Sequence, residues 1–520
     1  MGILTCSLVA LLVAGAPGVR DMETTLQDDA QFLHRSPAQV QRTAEQVAAL
    51  GADRVRLTAG WSALAPAPRS RRTPRAPFDA SDSRTYEQDR WRSLDTAVKA
   101  STTAGLGVQI DLGFWAPRWA VAAPAKNRDR ERLYPDPHAF ADFATAVARR
   151  YSGAFPDPVQ RGRVLPAVRM FATWNEPNHA SFLGPQWVHD RYGTRPMSPH
   201  VYRSMHAAAY DAIKRVSDRD LVLMGNTAST GSGVPGRGGV PPLEFLRTMA
   251  CVDRELRPLS VPECRDFRPL RADGFAHHPY SRLTPPDAPG ALADDAPIAD
   301  TAKLETLLGE LAARGRIAGT LPLYFTEYGY ESREDDPFQP FTRDQQARFE
   351  GWATYLAWRD PGVRMFAQFL LRDIDPAESG RKPGTRAYYR DWQTGLFTAS
   401  GEPKPAARAF KLPFFARTVG SGDTRAVLLF GQVRPGDGPR EVRVERLEPA
   451  TGAWAPVTSW GGTCDMEAGA FLTDRAGFFL RTAPFAGAGT YRMAWHHDDG
   501  TWEPGVPVPT ADDGSMPPPL

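Results

Sequence analysis

Short apolar runs alternate with longer amphipathic stretches from about residue 21 to residue 410 of the chain. A loop rich in polar, aromatic and proline residues follows each run. Strands that alternate with helical stretches indicate repeated βα units and a parallel sheet. The runs that we interpret as strands are residues 20–26, 53–58, 107–112, 168–174, 221–224, 274–277, 321–326 and 363–369.

The pattern changes beyond about Phe410, where helical periodicity is lost and β-branched and aromatic residues alternate between Gly and Asp turns. Short, closely spaced strands of this kind indicate a small β-sandwich. We therefore predict an α/β protein with a (β/α)8 TIM barrel over residues 19–410. A β-sandwich accessory domain over residues 411–505 and a flexible tail over residues 506–520 complete the predicted organisation.

An apolar run over residues 3–19 ends in the small residues Ala14, Gly15 and Ala16. It resembles the hydrophobic region and cleavage zone of a secretory signal peptide, so we predict a signal peptide over residues 1–18 and a secreted protein. No Lys or Arg precedes the run, and Pro17 directly follows Ala16, where it disfavours cleavage, so a cytoplasmic protein is the alternative. The run is shorter than the roughly 20 residues of a membrane-spanning helix, and no membrane association is expected.

The composition is that of a folded, nearly neutral protein, with 42% hydrophobic residues and a formal net charge of +2. Because no basic cluster stands out, we expect no nucleic-acid partner. Cys251 and Cys264 lie close together in one loop, so a disulfide is expected in an oxidising compartment, and two free thiols are the alternative. Neither Cys-x-x-Cys nor His-x-x-x-His spacing occurs, so no metal or other cofactor is expected.

The sharpest chemical signal is the segment FATWNEPN over residues 171–178. An apolar strand there delivers Asn175 and Glu176 at its end, and Pro177 stops the strand. A carboxylate beside an amide at the mouth of a barrel can protonate a leaving oxygen, while the amide can hydrogen-bond a sugar hydroxyl. A glutamate that caps a loop or pairs with an arginine is the structural alternative.

The pentapeptide from Trp174 to Asn178 resembles the acid/base motif of clan A glycoside hydrolases, the cellulase-type barrels that include families 5 and 39. In that clan the acid/base glutamate ends strand four and the nucleophile ends strand seven. The seventh predicted strand here ends at Glu327, which matches that position. The resemblance implies retaining hydrolysis of O-glycosidic bonds in a β-linked glycoside or polysaccharide, by a monomer that binds oligo- or polysaccharides. Glu176 would be the acid/base, with its pKa raised by the negative charge of Glu327.

Further residues match the same clan pattern. Arg56 resembles the arginine that lies beside the nucleophile, and His278 and Tyr280 resemble a His-x-Tyr element whose tyrosine hydrogen-bonds the nucleophile. Since side chains alternate along a strand, His278 and Tyr280 share one face and His277 points elsewhere.

Aromatic residues at strand ends are candidates for stacking on sugar rings, although a single aromatic is more often part of the core. Trp115 and Tyr328 are the candidates that we select. Many clan members end strand eight with a tryptophan, whereas residues 366–373 read FAQFLLRD. We expect Gln368, Arg372 or Asp373 to take that place, and the sugar and linkage therefore stay open.

Two other functions compete with hydrolysis. A transglycosylase shares the covalent intermediate and differs in the acceptor, so the sequence does not separate the two. A non-catalytic carbohydrate-binding barrel has no need of two carboxylates at these strand ends, which argues against it.

Overall fold

The computed structural model describes residues 22–122, 130–460 and 469–515. The chain forms two compact units. One comprises Glu23–Gly329 and Gly362–Leu371, and the other contains Tyr330–Pro361 and Arg372–Leu520. The expected signal peptide lies outside the described residues. Among those residues, none of the helices has the length and apolar character needed to cross a membrane.

Eight parallel strands close into a barrel in the first unit, which confirms the predicted TIM barrel. Neighbouring strands pair in parallel around the barrel, and the first strand closes on the last, with Thr25 opposite Ala367. Each of the eight predicted runs overlaps one observed strand. The strands are β1 (Glu23–Gln27), β2 (Arg54–Gly60), β3 (Gly107–Gly113), β4 (Met170–Thr173), β5 (Leu221–Ala228), β6 (Gly274–His278), β7 (Leu323–Phe325) and β8 (Val363–Phe369).

Amphipathic helices of this unit connect successive strands. In the helix Pro37–Ala49 the residues Val40, Ala44 and Val47 are buried, which is the spacing of one helical face. The remaining long helices are Gln88–Thr103, Pro137–Arg150, Ser198–Val216, Pro242–Met249 and Thr301–Ala313, and the short ones are Asp29–Phe32 and Trp61–Leu64. The strands Trp187–Asp190 and Gly193–Pro196 form a hairpin between β4 and the following helix.

Inside the barrel, alternate strand residues form an apolar layer. Its members are Met170, Ala172, Leu223, Ala276, Tyr324 and Met365, all of them buried. A filled interior means that the barrel is a rigid support and that chemistry is confined to its rim.

The second unit contains two antiparallel sheets, as expected for a β-sandwich. One sheet consists of Phe414–Val419, Ala426–Gln432 and Phe478–Pro484. The other consists of Trp454–Pro456, Glu441–Leu447, Gly489–His496, Trp502–Pro504, Ala470–Leu472 and Val508–Thr510. Leu429 of the first sheet shares a buried apolar cluster with Val444 and Met493 of the second. The helices Arg343–Arg359 and Pro405–Lys411 belong to the same unit.

Two details of the second unit differ from the predicted organisation. Val508–Thr510 lies in the segment expected to be a flexible tail, yet it pairs with strand Gly489–His496, because Val508 and Thr510 are buried on either side of Pro509. This unit also begins before residue 410. The helix Arg343–Arg359 joins it through Trp352 and Tyr355, whose rings stack on Phe415.

Candidate active site

A strained turn places Glu176 just beyond β4. Trp174 and Glu176 adopt left-handed backbone conformations with φ of 65° and 38°, which non-glycine residues rarely occupy. The backbone N–H of Trp174 donates to the carbonyl of Leu112 on β3, and that of Glu176 donates to the carbonyl of Asn226 on β5, both at 2.9 Å. Neighbouring strands thus hold the strained turn, and such turns are frequent at functional sites.

Glu327 follows β7 and faces Glu176 across the mouth of the barrel. One carboxylate oxygen of each residue and a ring nitrogen of His278 all lie within 4.8 Å of one another. His278 Nδ1 is 3.0 Å from Glu176 Oε1 and 3.4 Å from Glu327 Oε2. The side chains of Glu176 and Glu327 keep 16% and 11% of their surface exposed, so both are accessible to a ligand.

Arg56 and Tyr280 hold the Glu327 carboxylate. Arg56 Nη1 lies 2.5 Å from Oε1, and the Tyr280 hydroxyl donates to Oε2 at 3.1 Å. Burial, together with the charges of Glu327 and Glu176, raises the pKa of Tyr280 well above its usual value, so Tyr280 keeps its proton and acts as a donor. These two donors, one of them a cation, fix the orientation of the Glu327 carboxylate.

Arg56 is itself fixed by three further partners. Its Nε donates to Asp111 Oδ2 at 2.7 Å, Nη2 donates to Asn175 Oδ1 at 3.0 Å, and Nη1 contacts Gln27 Oε1. Burial lowers the pKa of Arg56, but the charges and hydrogen bonds of Asp111 and Glu327 raise it by more. The pKa of Arg56 therefore lies above its ordinary value. Arg56 is therefore a permanent cation on the floor of the site.

The pKa of Glu176 is shifted in the direction opposite to the one that we expected. Burial raises this pKa, but the hydrogen bond and the charge of His278 lower it, and the net pKa lies below that of a free glutamate. We expected a raised pKa because the sequence did not reveal that His278 would lie 3.0 Å from the carboxylate. His278, together with the charges of His179 and Arg282, therefore outweighs burial in setting the pKa of this glutamate.

The other predicted ligand-binding residues lie around this network. Asn175 is buried against Arg56. Tyr328 is fully buried, stacks on Tyr280 with ring centres 6.1 Å apart, and packs on Phe366. This position suits support of Tyr280 better than direct contact with a sugar.

Gln368 and Trp115 lie at other strand ends of the barrel. The Gln368 side-chain amide donates to the Leu370 carbonyl at 3.2 Å. Trp115 has 39% of its surface exposed, and its indole N–H donates to the Ser181 carbonyl at 2.9 Å. Ser181 belongs to the loop that follows Glu176, so Trp115 offers an open aromatic face on the Glu176 side of the site.

His277 points away from the glutamates. Its Nδ1 contacts the Thr227 hydroxyl at 2.8 Å and its Nε2 donates to the Ala296 carbonyl at 2.7 Å. Burial lowers the pKa of His277 to about 4, so this histidine is neutral at physiological pH.

The sequence did not identify four residues whose hydrogen bonds hold the surroundings of the two glutamates. They are Gln27, Asp111, Asn226 and Thr326. Each lies within or at the end of a buried strand. Asp111 offered a usable signal, since a carboxylate inside the apolar run over residues 107–112 needs a buried partner. Asn226 offered no comparable signal, because its role depends on a bulge that only the fold reveals.

Within the described residues, two clusters of His, Cys, Asp or Glu side chains lie close enough together to hold a metal ion. In the first, Cys251 and Cys264 join in a disulfide, as the sequence predicts for these two residues, and therefore offer no thiolates beside His200. The second comprises Glu176, His278 and Glu327. Because the Arg56 guanidinium already lies 2.5 Å from Glu327, a cation there would meet an adjacent positive charge. The arrangement better suits proton donation by one carboxylate and nucleophilic attack by the other.

No protein-family model matches the sequence, and no curated protein matches it. Among solved structures, the chain is similar to an FMN-binding β-glucuronidase from Facaelibacterium prausnitzii L2-6, at 10% identity and a TM-score of 0.43, over 96% of this chain and 58% of that one. It is also similar to a GH5_18 protein from Streptomyces cattleya in complex with GlcNAc, at 17% identity and a TM-score of 0.45, over 76% and 79% of the two chains.

A third similar structure is an exo-β-1,4-mannosidase from Opitutaceae bacterium strain TAV5, at 14% identity and a TM-score of 0.42, over 75% of this chain and 58% of that one. The chain spans about half the length of the β-glucuronidases that it matches.

Proposed function

We propose that this chain is a glycoside hydrolase that cleaves O-glycosidic bonds in a β-linked glycoside or polysaccharide with retention of configuration. The observation that carries the proposal is the pair of accessible carboxylates, Glu176 and Glu327, with oxygens within 4.8 Å at the ends of β4 and β7. Retaining enzymes hold their two carboxyl groups about 5–5.5 Å apart, whereas inverting enzymes need about 6.5–9.5 Å to admit a water molecule.

In the first step, Glu327 attacks the anomeric carbon while Glu176 gives a proton to the glycosidic oxygen. The bond from carbon to leaving oxygen breaks, a carbon–oxygen bond to Glu327 forms, and the alcohol departs with the proton. Arg56 and Tyr280 hold the Glu327 carboxylate in one orientation before the attack, which lowers the entropic part of the barrier.

In the second step, Glu176 acts as a base. It takes a proton from water, the resulting hydroxide attacks the anomeric carbon, and the ester bond to Glu327 breaks. Two inversions give net retention, and both glutamates return to their starting states.

Substrate contacts form the remaining part of the proposal. We propose that Asn175 and His278 hydrogen-bond hydroxyls of the reacting sugar, that Trp115 stacks on the leaving part, and that Gln368 takes the strand-eight position. The loops around these residues select the sugar. We propose a secreted monomer that acts on oligo- or polysaccharides.

A screen of aryl β-glycosides and polysaccharides tests the proposal, with wild type, Glu327→Ala and Glu310→Ala compared. Glu310 is a matched control because it lies on the outer helix Thr301–Ala313. We expect hydrolysis of at least one β-glycoside by wild type and by Glu310→Ala, and its loss in Glu327→Ala. Azide should partly restore the Glu327→Ala reaction and give a product of inverted configuration. Tight sugar binding by wild type without any cleavage would instead identify a binding protein.

A transglycosylase is the second candidate, and the 39% exposure of Trp115 favours it, because an open aromatic face near the acid/base suits an acceptor sugar. Product analysis with and without an added sugar acceptor distinguishes the two activities. Transfer products that outnumber hydrolysis products at millimolar acceptor would identify the transglycosylase.

A further inference from the structure

We propose that Asn226 is a positioning residue that sets the geometry of both glutamates at once, an inference that rests on the function proposed above. Asn226 is fully buried and lies on β5, between the strands that carry the two glutamates. Because a ligand does not reach it, its effect on the reaction passes through other residues.

A bulge in β5 gives Asn226 its orientation. The pairing of β5 with β6 shifts register between Gly225 and Thr227, and Asn226 has a φ of 49°. Asparagine tolerates this left-handed conformation better than most residues. Bulges next to active sites commonly redirect one side chain, and here the redirected side chain is the Asn226 amide.

Two hydrogen bonds connect Asn226 to the Glu176 turn. The Asn226 carbonyl accepts from the backbone N–H of Glu176 at 2.9 Å, and Asn226 Nδ2 donates to the carbonyl of Trp174 at 2.8 Å. These bonds are made by the two left-handed residues, Trp174 and Glu176, on either side of Asn175. Asn226 therefore stabilises the strained turn that carries the acid/base.

Two other hydrogen bonds connect Asn226 to the Glu327 side. Thr326, the residue before Glu327, donates its hydroxyl to Asn226 Oδ1 at 2.8 Å. Asn226 Nδ2 also donates to Asp111 Oδ2 at 2.9 Å, and the same oxygen accepts from Arg56 Nε at 2.7 Å. Arg56 in turn contacts Glu327. Asn226 thus reaches Glu327 along two independent routes.

The chemistry of this position requires an amide. Asn226 donates both of its N–H groups and accepts with its oxygen, a combination that aspartate, serine and alanine do not supply. An aspartate would keep the volume and the acceptor but would replace the donors with an oxygen facing Asp111 and the Trp174 carbonyl. Asn226→Asp therefore removes the two hydrogen bonds that the amide donates, to Asp111 and to the Trp174 carbonyl, without creating a cavity.

The kinetic test compares wild type with Asn226→Asp, Asn226→Gly and Leu308→Ala on one hydrolysed aryl glycoside. Leu308 is a buried residue of the outer helix Thr301–Ala313 and serves as a control for lost stability. We expect both Asn226 variants to lose about 10- to 100-fold in kcat, since small misplacements of reacting groups cost this much, with KM within about twofold. Wild-type kcat in Asn226→Asp, or an equal loss in Leu308→Ala, would overturn the inference.

A structural comparison tests the same inference and does not require an activity measurement. Crystal structures of wild type and Asn226→Gly should show the Arg56 to Glu327 contact or the turn at Glu176 displaced in the variant. Unchanged positions of both carboxylates would refute the positioning role. If wild type cleaves no glycoside, the proposed function fails, while this comparison still reports whether Asn226 fixes the two glutamates.

Discussion

Arg56 and Arg150 are both fully buried arginines that contact an aspartate, and they differ in what surrounds that contact. Arg150 donates Nε and Nη2 to the two oxygens of Asp95 at 2.8 and 2.6 Å. The Tyr151 hydroxyl donates to Asp95 at 2.9 Å, and the Trp91 ring lies 4.8 Å from the guanidinium. One carboxylate balances one guanidinium, and the pair is closed to solvent.

Arg56 instead meets two carboxylates, those of Asp111 and Glu327, and a third, Glu176, is connected through His278. The cluster thus holds more acids than permanent cations, and both glutamates retain exposed surface. A balanced, closed pair contributes to structure, whereas an unbalanced and accessible cluster has carboxylates free to exchange protons or attack a ligand. The groups around a buried arginine, more than its burial, therefore distinguish a structural ion pair from a cluster with available carboxylates.

Among the variants that test this comparison, Glu176→Ala should have the largest effect on activity. On substrates with a poor leaving group we expect kcat/KM to fall by about 10²- to 10⁴-fold, the usual contribution of general acid–base catalysis. On a dinitrophenyl glycoside, whose leaving group needs no proton, the first step should be almost unaffected. Steady-state and pre-steady-state rates on the two substrates check this, and equal losses on both would argue against Glu176 as the acid.

Replacing each arginine by methionine tests the comparison directly. Arg56→Met should lower kcat/KM by about 10²-fold, because Glu327 loses its orienting partner. Arg150→Met should lower the free energy of unfolding by about 3–5 kcal/mol, the cost of leaving one buried partner unpaired, with kcat/KM of the folded protein within about twofold of wild type. Denaturant unfolding and kinetics below the melting temperature measure both quantities. A large loss of activity in folded Arg150→Met would break the comparison.

The smallest expected effect is a displaced pH profile in His278→Asn. His278 lowers the pKa of Glu176 through a hydrogen bond and through charge, while burial raises it. Asparagine removes these two contributions, while burial still raises the pKa and the charges of His179 and Arg282 still lower it, so the pKa of Glu176 should rise relative to wild type. Because Glu176 must be protonated for the first step, the alkaline limb of the profile of kcat/KM should move to higher pH. A limb that moves to lower pH would contradict the assigned role of His278.

The barrel was predictable because its strands are nearly continuous apolar runs with polar loops between them, a pattern that each βα unit repeats. The proximity of Glu176 and Glu327 was predictable because Glu176 lies in a distinctive motif and Glu327 ends the seventh run. Both signals are local, and counting strands was sufficient to bring them together.

The supporting residues were harder to predict from the sequence because their roles depend on contacts between distant segments. Asn226 contacts Asp111, Trp174, Glu176 and Thr326 only because β5 bulges, and Gln27 meets Arg56 only because the barrel closes. The pKa of Glu176 is lowered, where we expected it to be raised, because His278 lies beside it. The position of His278 is set by the pairing of β6 with its neighbours, which the sequence does not show.

The most direct test of the central claim is covalent trapping of the nucleophile. Wild type is incubated with aryl 2-deoxy-2-fluoro-β-glycosides of the sugars that it hydrolyses, and the labelled peptide is identified by mass spectrometry. The account predicts one glycosyl group attached to Glu327, with no such adduct in Glu327→Ala. Attachment to another residue, or hydrolysis that inverts the anomeric centre without any adduct, would contradict it.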